Sequence, residues 1–433
     1  MNVVITLEFR FTRTPDGRLW SRTSHSYAFW ERYLTVFDGV KIVARAEWST
    51  DVDSRYRPVL GPGVEFVELP YYLGPWQYLK VRSRARQIVR VAVEQEDAIL
   101  CRVPSILGTE LLSSLPGKGR PYGLEVIGDP EEAFAPGAVR HPLRPVFRHV
   151  FTHNLRRECA RAVGVSYVTE SALQQRYPAR GLAVGVSDTD LQTGYFGSLP
   201  RTFTTYYSST ELSLDDYASG PKQYDHVGRP RLVFVGSLEQ MYKGQDILLR
   251  AIALLRQRGR PVELIIVGDG RHRQELEALA QSLDISRDIA FLGELPAGPA
   301  VRAELDKATL MVLPSRTEGL PRVIIEAMAR ALPCVASSVG GIPELLHEDD
   351  LVPANDPEFL AQKIQEVITN PARLNAMSVR NLEKAQQFRP EVLRRKRAQF
   401  YMFLREATQE WLSKQVQPGG AGQIALDHAG CDS

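Results

Sequence analysis

Cysteine is scarce and scattered: Cys101, Cys159, Cys334 and Cys431 include no CxxC pair. Neither a zinc ligand set nor a disulfide framework is indicated, and a reducing, cytoplasmic setting suits the chain. Long apolar runs are missing too, since no stretch reaches the ~18 residues that span a bilayer. The opening MNVVITLEFRF lacks a basic leader and carries too short an apolar segment for a secretion signal. Charge of one sign is not in excess: the formal net charge is +2, with 24% charged residues, so the overall balance names no partner. The GxGxxG fingerprint of dinucleotide dehydrogenases is absent, because VGDGRHRQEL (267–276) places its glycines at a strand-to-helix turn with another spacing. No motif for a pyridoxal phosphate lysine is visible, and no cofactor is expected.

What is present is a rhythm. In 433 residues, 44% of them hydrophobic, short β-rich runs alternate with helix-length stretches. The runs are VVITLEF, VKIVARAEW, VEFVELPYY, AILCRVP, YGLEVIG and VSYVT, then RLVFVGS, VELIIVGDG, DIAFLGEL, ATLMVLPS and LPCVASS. That alternation predicts an α/β protein of two doubly wound, Rossmann-like domains facing each other across a cleft. The length suits two cores of roughly 200 residues each. We place the first domain at 1–215, an irregular linker at 213–230 (SLDDYASGPKQYDHVGRP), and the second domain at 230–388. An amphipathic helix over 389–414, with Leu393, Phe400, Phe403 and Leu404 near one face, is expected to pack back across the domains. The glycine-rich tail 415–433 is expected to be disordered. A ligand should bind between the domains, at the strand C-termini.

The stretch EGLPRVIIEAMARALPCVASSVGGIPE (318–344) sharpens this. Pro321 suits the first turn of a helix, so Glu318 lies in the turn before it and Glu326 lies more than a turn inside, among Ile324, Ile325, Ala327 and Met328. A carboxylate in such surroundings needs donors, because an unpaired buried charge is costly. A vicinal diol, as in a ribose, supplies two. The free N–H groups of the turn and the positive helix end would receive a phosphate or sugar hydroxyls. The alternative is that Glu326 points to solvent and Glu318 is an ordinary loop residue; spacing alone does not choose.

Glu318, Glu326 and PCVASSVGGIPE, preceded by FVGSLEQMYKGQDILLRAI, ELIIVGDGRHRQEL and ATLMVLPSRTEGLPRVIIEAMA in that order, resemble glycosyltransferase family 4, retaining enzymes with the GT-B fold. The resemblance covers most of 231–388. It implies that Glu318 contacts the donor sugar, Glu326 the ribose, and the backbone of Gly319, Leu320 and Pro321 the sugar and diphosphate. Lys243 would hold the diphosphate and stabilise charge on the leaving group. Gly268 would lie near the nucleotide base. The family's glycine–arginine pair appears here as Gly236 and Ser237, so a phosphate-binding cation is missing, and Arg322 is one substitute. The implied enzyme is metal-independent and moves a sugar from a nucleotide-sugar donor to a saccharide or lipid-linked acceptor. Another GT-B enzyme, such as a sugar-nucleotide epimerase, or a silent nucleotide-sugar-binding subunit stay open alternatives.

The first half offers less. The loop after strand one, RFTRTPDGRLWSRTSHSYAF (10–29), has Gly17 where the family often has more glycine. Asp129, at a probable strand end before Pro130, is either an acceptor-side catalytic carboxylate or an Asx turn. SDTD (187–190) is read as turn residues rather than a metal motif. Two basic stretches, 78–90 with Lys80, Arg82, Arg84, Arg86 and Arg90, and 140–161 with Arg144, Arg148, Arg156 and Arg157, suggest contact with an anionic membrane at the inner leaflet. In the second, Leu143, Phe147, Val150, Phe151 and Leu155 are expected to form the packed stripe. Nucleic acid is not expected, for want of interleaved aromatics.

Overall fold

A computed structural model describes residues 1–22, 25–115, 119–135, 141–179, 202–210, 212–225 and 228–416. The SDTD stretch at 187–190, Cys431 and the tail from 417 onward lie outside them. The first half contains β1 (Asn2–Arg13), β2 (Leu19–Ser21), α1 (Tyr27–Leu34), β3 (Gly39–Trp48), β4 (Arg57–Pro58), β5 (Val64–Leu69), α2 (Gly74–Val91), β6 (Ala98–Val103) and α3 (Ile106–Ser114). It continues with β7 (Gly123–Val126), α4 (Pro130–Ala133), α5 (Arg144–Cys159), β8 (Gly164–Tyr167), α6 (Ala172–Arg176) and β9 (Phe203–Tyr206). Parallel pairing orders the sheet β5-β3-β1-β6-β7-β8-β9, while β2 and β4 add antiparallel to the far end of β1. Its middle strand, AILCRV, is buried at every position, as a strand covered on both faces must be.

The second half repeats the plan with β10 (Arg231–Val235), β11 (Glu263–Val267), β12 (Ile289–Gly293), β13 (Leu310–Leu313), β14 (Cys334–Ser337) and β15 (Leu351–Val352), all parallel in the order β12-β11-β10-β13-β14-β15. Two doubly wound sheets thus stand in tandem, with one core in the second half and one on each face of the first sheet.

Between them, the irregular segment is pinned to the second domain. Lys222 Nζ donates to the carbonyls of Leu305, Asp306 and Ala308 at 3.1, 2.8 and 3.0 Å, closing the C-terminal end of the Pro299–Lys307 helix. Burial pushes this ammonium down to about 8. The last helix, Pro390–Val416, returns to the first domain and buries Leu393, Phe400, Tyr401 and Leu404, with Phe403 only partly covered. Tyr401, not anticipated, donates to Glu125 at 3.0 Å; Tyr33 and Tyr207 donate to the same carboxylate, and Arg102 pairs with it at 2.6 Å. Burial alone would raise the Glu125 pKa, but Arg102 and the tyrosine hydroxyls outweigh it and the net shift is downward.

One local expectation is overturned. The segment from Arg10 is not a loop: β1 runs on to Arg13 after a register shift between Thr6 and Arg10, and Gly17 turns the hairpin into β2. Arg22 and Arg55, beyond it, approach Glu294 of the second domain at 3.8 and 3.7 Å.

Candidate functional site

The C-terminal ends of β10, β11 and β13 converge on one point. Gly268, just past β11, has φ +138°, and a Cβ there would lie 2.0 Å from the Gly236 carbonyl oxygen. Only glycine lets these two strand ends meet. The stem of Lys243 lies over Gly236, where an added Cβ would come 2.6 Å from its Cδ. So guided, Lys243 Nζ reaches Glu318 Oε1 at 2.8 Å, and the Ser315 hydroxyl donates to the same oxygen at 2.8 Å. The pair is nearly buried, with 14% and 9% of the side chains exposed. The paired glycine that ends the signature stretch explains the position of Glu318: Gly340 has φ +54°, and a Cβ on it would lie 1.8 Å from the Glu318 carbonyl oxygen. Gly341 N–H donates to Gly319 O at 2.7 Å.

Beyond this turn the helix runs Arg322–Ala329, with Pro321 as its N-cap rather than inside the first turn. Leu320 packs against the cores of both domains. Glu326 does not share the Glu318 pocket. It accepts from Arg322 Nε at 2.7 Å and lines a separate groove with Asp216, Gly298, Arg302 and Arg330. Arg322, one turn earlier, thus supplies a donor to the carboxylate that the sequence sets among apolar residues. The arginine side chain is half exposed in this pairing. Ser237 Oγ accepts from Glu239 N–H at 3.1 Å and tightens its own turn. A cation that the sequence reading missed stands beside that turn: Arg271, 64% exposed, approaches Glu239 at 3.8 Å. Its signal was a basic residue directly after Gly268-Asp269-Gly270, but only the fold brings it next to Ser237.

Across from Glu318 stands α4. An open cleft of about 360 Å³ is lined by Asp129 and Glu132 from the first domain and by Gln240, Tyr242, Thr317 and Glu318 from the second. Asp129 is thus at the cleft, yet its carboxylate is occupied. Oδ1 accepts from Glu131 N–H at 2.9 Å, capping α4, and from Tyr177 OH at 2.5 Å, while Oδ2 pairs with Arg176. The carboxylate that spans the cleft is Glu132, which accepts from the Thr317 hydroxyl at 3.2 Å. A second bridge lies at Glu344, the last residue of the signature stretch. It accepts from the N–H of Glu170, from Ser171 N–H at 2.9 Å and its hydroxyl at 3.0 Å, and from Ala172 N–H at 2.6 Å. The second domain therefore caps α6 of the first, and α6 carries Arg176.

The two basic stretches form α2 and α5, which flank α3 on one face of the first sheet and share its core through Val89, Leu107 and Leu155. Each follows a parallel strand, so both begin at the cleft end of the domain. The packed stripe on α5 differs from expectation: Leu155, Glu158 and Cys159 are buried, whereas Leu143, Val146 and Val150 face solvent. Leu73, Trp76 and Leu79 do likewise at the start of α2, with Trp76 66% exposed. Burial raises the Glu158 carboxyl to about 7, against an opposing hydrogen bond from Thr109 at 2.6 Å. Among the described residues, no helix is long and apolar enough to cross a membrane.

The chain is similar to known proteins in sequence and in fold. Residues 229–370 match the family model described as glycosyl transferases group 1. Protein CapJ of Staphylococcus aureus is 24% identical over 345 residues, 79% of this chain and 81% of that one. Two further curated relatives are matched over only 39% and 53% of their own length. Among solved structures, the sucrose-phosphate synthase of Thermosynechococcus elongatus superposes with a TM-score of 0.66 at 16% identity, covering 96% of this chain and 100% of that one. Anabaena HepE in complex with UDP-glucose superposes with a TM-score of 0.57 at 16% identity over 96% of this chain and 100% of that one.

Proposed function

Since this chain is a glycosyltransferase of the group 1 family built on the GT-B fold, we propose that it is a retaining, metal-independent enzyme that uses a nucleoside diphosphate-sugar. The observation that carries this reading is the Lys243–Glu318 pair at 2.8 Å, set at the strand ends and facing a cleft. On donor binding, Lys243 turns from Glu318 to the diphosphate, and Glu318 is released to accept from sugar hydroxyls. The N–H groups of Gly319, Leu320 and Arg322, at the start of the helix, face the same anion. Lys243 and the helix end supply the positive charge that the departing diphosphate needs. Arg271 adds to it from the neighbouring turn, and Glu326 takes the ribose hydroxyls in its groove.

The transfer step proceeds on one face of the sugar. The acceptor hydroxyl oxygen bonds to the anomeric carbon as the bond from that carbon to the phosphate oxygen breaks, and the hydroxyl proton passes to the departing diphosphate. Configuration is retained, and no protein nucleophile is required. The protein contributes position and electrostatics. Asp129 serves by holding Arg176 and the cap of α4, so that Glu132 and Thr317 close the acceptor side.

The acceptor is a saccharide or lipid-linked saccharide of envelope or exopolysaccharide synthesis, met at the inner face of the plasma membrane. Support comes from the apolar residues that open α2 and α5, next to the exposed cations Lys80, Arg84 and Arg90. Each cation near an anionic surface contributes about 1 kcal/mol. The decisive experiment incubates the protein with uridine, guanosine and adenosine diphosphate-sugars and an envelope extract, then follows nucleotide release and the anomeric proton of the product. Release that persists undiminished in Glu318→Gln, or a product of inverted configuration, defeats the reading. For the membrane, Trp76→Ser with Leu79→Ser should abolish sedimentation with phosphatidylglycerol vesicles.

A further inference from the structure

A second cavity shares α4 with the cleft. On α5, Arg148, His149, Thr152, His153 and Arg156 recur at intervals of three and four residues and so form one stripe. With Glu131 opposite, that stripe lines an open space of about 370 Å³. Asp129 and Glu132 line the sugar cleft while Glu131 between them lines this cavity, so a single four-residue helix divides the two.

The charges of the stripe are thinly matched. Glu131 lies 3.2 Å from Arg148 Nη2, 3.6 Å from Arg156 Nη2 and 3.9 Å from Arg176 Nε. Arg176 already has Asp129 and Glu132. Among the described residues, Arg148 and Arg156 therefore share one carboxylate, with 42% and 55% of their side chains exposed, and Arg156 Nε also donates to the Arg176 carbonyl at 3.2 Å. A guanidinium has five donors, so most of those on the pair stay available to an anion. The rings of His149 and His153 stack with centroids 6.3 Å apart and add further donors to the same face. Exposed ion pairs of this kind hold weakly, whereas the fork of an arginine on phosphate is among the stronger polar contacts.

We propose that this cavity binds a phosphate or diphosphate ester belonging to the acceptor, with Arg148 and Arg156 as its clamp and Glu131 holding the clamp in place until the anion displaces it. The acceptor would then be acidic and doubly held: phosphate between α4 and α5, sugar hydroxyl across α4 in the cleft. Its link to transfer rests on the reading of that cleft given above; the binding itself does not.

The test titrates the full chain with inorganic pyrophosphate and with glycerol 3-phosphate, following the ring resonances of His149 and His153, assigned through single glutamine substitutions. Arg148→Gln with Arg156→Gln should weaken binding at least tenfold. Lys243→Met, which disables only the donor site, should leave these shifts in place. Glu131→Gln should tighten binding several-fold, a gain that misfolding cannot mimic. Shifts that disappear with Lys243→Met, or that ignore the arginine substitutions, overturn the proposal. Two arms then identify the source: glucose 1-phosphate for a soluble ester, and phosphatidylglycerol vesicles for a lipid headgroup. Each supports the site only where the arginine substitutions abolish the response. If phosphate binds through the arginines but no sugar is transferred in any acceptor condition, the site stands and its role in the acceptor reading falls.

Discussion

The two walls of the cleft are built on opposite plans. On the wall from the second domain, backbone meets backbone: Gly268 lies against Gly236, Gly340 lies against Glu318, and a single charged pair is set into that frame. On the wall from the first domain, α4, α5 and α6 meet through side-chain charges, with Glu131 and Arg176 each engaged by several partners. Backbone contacts at glycine have no alternative arrangement short of a clash, while partly exposed ion pairs exchange partners at small cost. One wall is therefore preformed, and the other can be re-paired by what binds to it.

The largest expected effect breaks the preformed wall. Lys243→Met or Glu318→Gln should each lower kcat/KM by about 10²–10³-fold, the range for losing one pre-organised electrostatic contact, and Lys243→Met should also lower the melting temperature, because it leaves the nearly buried Glu318 carboxylate without its cation; steady-state donor turnover and thermal unfolding measure the two effects. Next comes Glu158, on the buried face of α5. Its carboxyl holds a proton up to about 7 in the fold against 4.5 as the ordinary value. The folded state therefore binds more protons across that window, and stability falls as pH rises from 4.5 to 7. Glu158→Gln should remove the loss and raise stability by about 2–3 kcal/mol at pH 8, with little effect at pH 4, by urea unfolding. Glu344→Ala, which strips the acceptor from α6, should cost about 1–2 kcal/mol and raise the acceptor KM more than the donor KM. The smallest effect is expected at Asp129→Asn, about 1 kcal/mol of stability, because asparagine still caps α4. Turnover should drop less than tenfold. A loss at Asp129 as large as that at Glu318 would erase the distinction between the walls.

How much of this was legible in the sequence follows the same division. The alternation of strands and helices was readable because fully buried parallel strands, such as LMVL of β13, must be apolar throughout. Glu318 was readable from the turn before Pro321, and Lys243 only from the motifs shared with a known family; that the two pair across 75 residues was not read. Glu326 was visible as a carboxylate among apolar residues, but its partner Arg322, one turn earlier, was assigned elsewhere. Asp129 was placed correctly at a strand end, yet Arg176 and Tyr177, almost fifty residues onward, decide what its oxygens do. The stripe on α5 was misassigned because its basic and apolar residues interleave, and the buried face takes in Thr152 and Glu158, which apolar periodicity does not mark. Glu344 and Arg271 carried no sign of their neighbours at all.

The sequence by itself determined two parallel sheets and the glycine-bearing turns at their ends, since these follow from periodicity, backbone freedom and short spacing. Only the tertiary structure decided which charges are already spent on one another, Lys243 and Glu318 among them, and that the second domain caps a helix of the first through Glu344. Pairing between groups far apart in the sequence depends on how the chain closes in space, and no local preference encodes it.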